Sequence, residues 1–248
     1  MGDLSIAFRD HEAEILAYLD FLDGVDLSIK KGHGSSIPSH LSVTPQQQKI
    51  LYSSVYLQLY NLVEATVTRC LDAVTDAAFN SRHWSPKDLC PEIRKEWVRT
   101  TARTHTDLNY QHRLDSVLEL CNHLLSSLPI EGFKMERGGG GNWDDGEIEV
   151  IVGRLGFKLT IDRRIYSSVK RRIKDDLGPL GIVKKFRNSL AHGEISFTEC
   201  GQNVTVGELR NIATVTASYM SAVVQAFETY IDQHEYLLEE SRPPLSRK

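Results

Sequence analysis

Leu180-Gly181-Ile182-Val183-Lys184-Lys185-Phe186-Arg187-Asn188-Ser189-Leu190-Ala191-His192-Gly193 is the stretch on which both the fold and the chemistry of this chain turn. Gly178-Pro179 before it and Gly193 after it are start and stop signals, so the spacing predicts a short helix that carries Arg187 to His192 to its C-terminal end. Arginine keeps its charge at any physiological pH, and histidine titrates near neutrality. Those are the two side chains that cleavage of a phosphodiester without a metal most needs. RNA brings its own nucleophile, the 2′-hydroxyl. A protein then has only to remove that proton, stabilise the extra charge on the phosphorane and protonate the leaving 5′-oxygen. At 100° per residue, Asn188 and Ser189 share the face of His192, whereas Arg187 is displaced by about 140°. The arginine must reach round the helix or act across an interface.

Charge supports a polyanionic partner for this region. From Arg154 to Arg187 there are eleven Lys or Arg residues and three acids, a local net charge of +8 in a chain whose total is −4. A polyanion approaching the Arg187 helix meets a favourable local field although the protein as a whole is mildly acidic. The competing reading of such a run is a solvated helix face. With 41% hydrophobic and 25% charged residues over 248 positions, the chain has the composition of an ordinary globular protein. It holds no run of about 18 apolar residues, and its N-terminus lacks the basic-then-apolar pattern of a signal peptide. The expected location is cytoplasmic. Cys70, Cys90, Cys121 and Cys200 are scattered without a C-x-x-C pair, which argues against a zinc knuckle or a disulfide framework and predicts reduced, buried thiols.

Helical periodicity dominates the rest. Ile15, Leu16, Leu19 and Leu22 line one face of a helix from Asp10 to Asp23, with Gly24 as its stop and a loop to about residue 43. Thr44-Pro45-Gln46-Gln47 reads as an N-cap, a first-turn proline and a capping-box glutamine, opening a long helix to about Ala78. After a break, Ile93 to Thr101 is helical. A further helix from about Asp107 to Ser127 places Leu114, Val117, Leu118, Cys121, Leu124, Leu125 and Leu128 on one side, and Pro129 ends it. Asp144 reads as the cap of a helix from Glu147 to Leu155 that Gly156 terminates. Tyr166 to Asp176 reads as a basic helix. Ile195 to Val204 reads as a small hairpin or an irregular loop. Thr205-Val206-Gly207-Glu208 is a second capping box and starts a final helix to about Leu238, before a frayed tail at 241–248. The expectation is a mainly α protein, a single domain over 1–248, with long antiparallel helices at 44–78, 107–127 and 205–238 beside the Arg187 helix.

Three segments in order carry a family resemblance. Arg187-Asn188 followed by Leu190-Ala191-His192-Gly193 is similar to the R-x4-6-H motif of the HEPN superfamily. Together with Leu59 to Val67 in the long helix, Gly141-Asn142-Trp143-Asp144, and Ser196-Phe197 with Glu199, it resembles the MAE-type HEPN-like nuclease family over nearly the whole chain. The resemblance implies a HEPN-like helical bundle and a metal-independent endoribonuclease of the prokaryotic toxin or antiphage type. Its site is composite, formed where two motif helices meet in a homodimer. Arg187 and His192 match the family's catalytic pair, Asn188 matches the polar residue after its arginine, and Glu64 matches an acid on a facing helix that orients Arg187 or His192. The candidate catalytic set is therefore Arg187, His192, Asn188, Ser189 and Glu64. Ser189 joins Asn188 in positioning the phosphate, and Lys170, Arg171, Arg172, Lys174, Lys184 and Lys185 hold the RNA backbone.

Other features stay open or carry less. Gly138 to Gly141 lacks the Lys-Ser/Thr that completes a phosphate-binding loop and does not follow a clear strand, so a mobile loop is favoured over a nucleotide site. Tyr52, Tyr56 and Tyr60 stand four apart, as a stripe that stacks on bases or one that belongs to the core or a dimer interface. The histidines other than His192 show no metal-binding spacing, and the acid pairs lie far apart in sequence, so neither a metal nor a cofactor is expected. Besides the enzyme, the residues allow a non-catalytic HEPN module that docks a partner protein or a nucleotide, and a helical scaffold in which His192 only ends a helix. The expected partners are an RNA substrate, a second copy of the chain, and an antitoxin or defence-system protein.

Overall fold

In a computed structural model of the chain, the described residues are 2–30, 43–80, 84–102, 109–128, 130, 133, 135 and 142–244. The Gly138 to Gly141 run lies outside them. The described residues form helices α1 (Asp3–Lys30), α2 (Pro45–Thr75), α3 (Pro91–Thr101), α4 (Tyr110–Leu125), α5 (Asp145–Leu155), α6 (Arg163–Lys170), α7 (Pro179–Ala191), α8 (Phe197–Cys200) and α9 (Val206–Asp232). Among them no strand forms, only the isolated bridges Leu89–Leu237 and Lys174–Leu177. The mainly α, HEPN-like expectation agrees with this architecture. No helix among the described residues is long and apolar enough to cross a membrane.

The chain divides into two compact units. The first takes residues 1–66, 142–145 and 161–222. Its core is built from helix faces: Phe8, Ile15, Leu19, Leu22 and Val25 of α1, Val55, Leu59, Leu62 and Val63 of α2, Leu180, Ile182, Val183 and Leu190 of α7, and Leu209, Ile212, Tyr219 and Met220 of α9 are all buried. The three- and four-residue spacing of each set is what one face of a helix requires. Tyr18 donates from its hydroxyl to the Leu51 carbonyl at 2.9 Å, and Arg210 of α9 pairs with Asp20 and Asp23 of α1.

Both capping boxes form as read: Thr44 and Gln47 exchange hydrogen bonds of 2.8 and 3.2 Å, and so do Thr205 and Glu208. Gly24, in contrast, does not stop α1. The helix runs on to Lys30 because Leu22 and Val25 are buried on either side of the glycine, and that burial outweighs the roughly 1 kcal/mol that an interior glycine costs. The basic helix is also shifted: α6 begins at Arg163, where the Asp162 carboxylate accepts from the Arg164 N–H at 2.8 Å, and it ends at Lys170. The chain then turns through Asp175 and Asp176, both at positive φ, a conformation that short polar side chains tolerate. In place of a hairpin, Ser196-Phe197-Thr198-Glu199 forms a third capping box that opens α8. Gly201, just after it, lies against α2 so closely that a Cβ there would stand 1.9 Å from the Lys49 carbonyl oxygen.

The second unit takes residues 67–141, 146–160 and 223–248. Here Glu96, buried in α3, pairs with Arg154 of α5 at 2.5 Å and with Arg99 at 3.0 Å. Phe157 stacks on Tyr230 with centroids 4.4 Å apart, and the Tyr230 hydroxyl donates to the Leu155 carbonyl at 2.8 Å. Gly156 ends α5 at φ +87°. Helix α4 forms where periodicity placed it, but its leucine-rich face is exposed: Leu118 is 51% and Leu125 84% accessible, and Ser116 is the buried residue of the helix. Cys121 on that face is exposed as well, a correction to the expectation that every thiol is buried. Periodicity shows that an apolar face exists and leaves open whether anything in the same chain covers it.

Candidate functional site

Helix α7 presents the motif in an asymmetric way. Pro179 opens the helix after Gly178, where a Cβ would stand 2.4 Å from the Val169 carbonyl oxygen. At the other end Gly193, at φ +70°, lets the chain fold back, so that the Glu194 N–H reaches the Ser189 carbonyl at 2.9 Å and the Gly193 N–H reaches Leu190 at 3.3 Å. This double closure is a Schellman motif, and it needs the left-handed residue that glycine supplies without strain. His192 is the C-cap, its N–H bonded to the Asn188 carbonyl at 2.9 Å.

Arg187 is half-buried and held from three sides. Its guanidinium lies over the Tyr60 ring, 4.3 Å from the centroid. One terminal nitrogen donates to the Asn188 carboxamide oxygen at 2.9 Å, and the other stands 3.7 Å from the Glu64 carboxylate. Asn188 in turn donates to the Asn142 side-chain oxygen at 2.9 Å. The Trp143 N–H donates to the Tyr60 hydroxyl at 3.2 Å, and Lys184 forms an ion pair with Asp144. The Asn142-Trp143-Asp144 segment therefore fastens α2 and α7 together at the level of the arginine. Burial raises the Tyr60 phenol above its ordinary pKa, with Glu64 adding to the effect and the Trp143 N–H, Arg187 and Lys184 opposing it. The ring stays neutral, with its π face turned to the guanidinium.

His192 is different in kind. It is exposed, and among the described residues its imidazole has no hydrogen bond or ion pair. Ser189, expected beside it as a phosphate ligand, donates its hydroxyl to the Glu194 carboxylate at 2.8 Å. Of the predicted set, Arg187, Asn188 and Glu64 come together; His192 and Ser189 belong to the helix end. Tyr60, Asn142 and Glu194 lie outside the catalytic set expected from the sequence. Tyr60 lay in the tyrosine stripe and Asn142 in the Gly-Asn-Trp-Asp segment, yet no spacing rule says that a tyrosine on one helix will face an arginine on another.

The basic residues are largely compensated. Lys170 pairs with Asp145 at 2.7 Å, Lys185 with Asp175 at 2.6 Å, Arg172 with Asp176 at 3.4 Å, and Lys184 with Asp144. Lys185 holds the exposed Asp175 carboxyl below the usual carboxylate range. Among the described residues Arg171 and Lys174 have no ion-pair partner, and Lys174 lies 5.3 Å from the Phe186 ring centroid. The +8 of the linear segment overstates the local field, because two of the neutralising acids, Asp144 and Asp145, lie outside it in sequence. Among the described residues no three His, Cys, Asp or Glu side chains are grouped to hold a metal ion.

The model of a HEPN family of the MAE type matches residues 4–236. No curated protein and no solved structure matches the chain.

Proposed function

The chain belongs to the MAE-type HEPN family, and from that premise and the geometry of α7 we propose that it is a metal-independent endoribonuclease of the toxin or antiphage type. In this reading two copies of α7 meet and form one composite site. Neutral His192 takes the proton of the RNA 2′-hydroxyl, whose oxygen attacks the adjacent phosphorus. Arg187 stabilises the charge that builds on the phosphorane, and Asn188 helps to place the phosphate. The imidazolium formed in that step delivers the proton to the departing 5′-oxygen, leaving a 2′,3′-cyclic phosphate and a 5′-hydroxyl. Glu64 and Tyr60 position Arg187 and do not touch RNA.

The observation that carries this reading is the contrast within one motif. Arg187 is fixed by Tyr60, Asn188 and Glu64, while His192 is presented bare at the helix end. Rigid charge stabilisation and a free proton carrier are what the two steps demand. A cleavage assay on total RNA with end-group analysis tests it. Arg187→Ala and His192→Ala should each lower cleavage by about 10²-fold or more while the protein stays folded. Full activity in His192→Ala, or abolition of wild-type cleavage by EDTA, overturns the mechanism.

A further inference from the structure

One turn of α2 before Tyr60, and at Ile182, five residues before Arg187 on α7, the structure opens a cavity of about 550 Å³, within the range of small-ligand sites. Tyr56 lies against it. That residue is only 3% exposed, its ring packs on Phe186 with centroids 4.7 Å apart, and its hydroxyl has no hydrogen-bond partner among the described residues. That hydroxyl is not sealed from solvent, so a ligand in the cavity can reach it. Lys174, the lysine of the basic set without an ion pair, lines the same cavity. So does Glu208, whose one carboxylate oxygen accepts both the N–H and the hydroxyl of Thr205, leaving its other oxygen to act as an acceptor. Asn211 adds a carboxamide, and Ile182 and Ile212 supply apolar walls. Apolar walls with an aromatic ring, a few donors and acceptors and one cation fit a nucleobase with its phosphate nearby.

Arg187 stacks on Tyr60 while the cavity is served by Tyr56, four residues or about 6 Å along the same helix. We propose that this cavity holds the base next to the scissile phosphate, and that it selects bases bearing an exocyclic amine over uracil. The proposal rests on the ribonuclease reading. The free Glu208 oxygen accepts from an amine, whereas a uracil carbonyl at the same place meets a like-charged oxygen. A good base contact is worth about tenfold or more in discrimination.

Two variants test it: Tyr56→Phe, which keeps the ring, and Glu208→Gln, which keeps the cap on the Thr205 N–H and removes the charged acceptor. The first measurement sequences the cut ends of a random RNA pool. Wild type should show about tenfold enrichment of adenine, cytosine or guanine over uracil at one position beside the cut, and the double variant should show less than about twofold. An unchanged preference in the double variant, or no preference in wild type, overturns the proposal. The second measures binding of labelled oligoadenylate, oligocytidylate and oligouridylate to His192→Ala, with and without the two changes. Discrimination in binding that the variants erase, together with a wild type that cuts no RNA, supports the cavity and sinks the nuclease reading. Cleavage by wild type with no discrimination in binding sinks the cavity alone. Free mononucleotide that competes as tightly as the oligomer also overturns the proposal, since the site then reads no strand.

Discussion

Arg187 gives up most of its side-chain freedom to Tyr60, Asn188 and Glu64, and this sets what each partner should do when changed. The Glu64 contact is long, at 3.7 Å, between side chains 30% and 41% exposed, so it contributes little to stability. Tyr60 does two jobs, presenting its ring to the guanidinium and its oxygen to the Trp143 N–H. Tyr60→Phe keeps the first and loses the second. It should cost about 1 kcal/mol in urea denaturation, because a buried N–H is left without its acceptor, while cleavage stays within about twofold of wild type. Tyr60→Leu removes the ring face as well and should lower cleavage by about tenfold, in keeping with a cation–π contact of 1 to 2 kcal/mol. Equal activity in the two variants would show that the ring does not position Arg187. Residue types at this scale were legible in the sequence, since Arg187, Asn188 and Glu64 were named before any geometry. The Tyr60 contact was not, because it depends on how two helices rotate about their own axes.

Helix starts were easier to read than helix stops. Thr44 to Gln47 and Thr205 to Glu208 are local patterns whose hydrogen bonds close within four residues, so tertiary structure has little power to override them. Ser196 to Glu199 carries the same pattern and was hidden by an apolar residue that suggested a strand. Gly24 misled because a glycine both permits a stop and tolerates a continuation; the choice lies with Leu22 and Val25, which are buried. The two roles of glycine predict opposite signs. Gly24→Ala sits inside α1 with nothing within 4 Å of the new Cβ, and should raise stability by about 0.5 to 1 kcal/mol. Gly201→Ala drives a Cβ into the Lys49 carbonyl at 1.9 Å and should cost at least about 1 to 3 kcal/mol. Both follow from urea midpoints, and a destabilising Gly24→Ala would mean that the helix ends there after all. Helix α4 makes the complementary point, since periodicity places Leu125 on an apolar face and leaves its exposure to be shown by the structure.

For the molecule taken whole, the thiols report on packing. Burial pushes Cys200 up to about 11, with Lys174 pulling the other way, and raises Cys70 and Cys90 too, while Cys121 is exposed. Near pH 8 a thiol reagent should label one cysteine in the native protein and four after unfolding; fast labelling of a second would contradict the packing. Because the folded Cys200 thiol holds its proton more tightly than the unfolded one, its contribution is complete below about pH 9 and is lost as pH rises through about 11. The melting temperature should fall across that window. Arg187 and His192 lie about 140° apart on α7, the first turned to Tyr60 and Glu64 and the second bare at the helix end, so a single copy presents them to different places. If two copies complete one site, Arg187→Ala brings an intact His192 and His192→Ala brings an intact Arg187. Mixing the two inactive variants, with time for subunits to exchange, should then restore cleavage at least about tenfold above either alone, because the mixed pair regains one proton carrier and one phosphorane-stabilising charge. Dilution of wild type should lower its specific activity as dimers dissociate. A mixture as inactive as its components, with subunit exchange demonstrated by differently labelled copies, would show that each chain works alone, and the composite site would have to be abandoned.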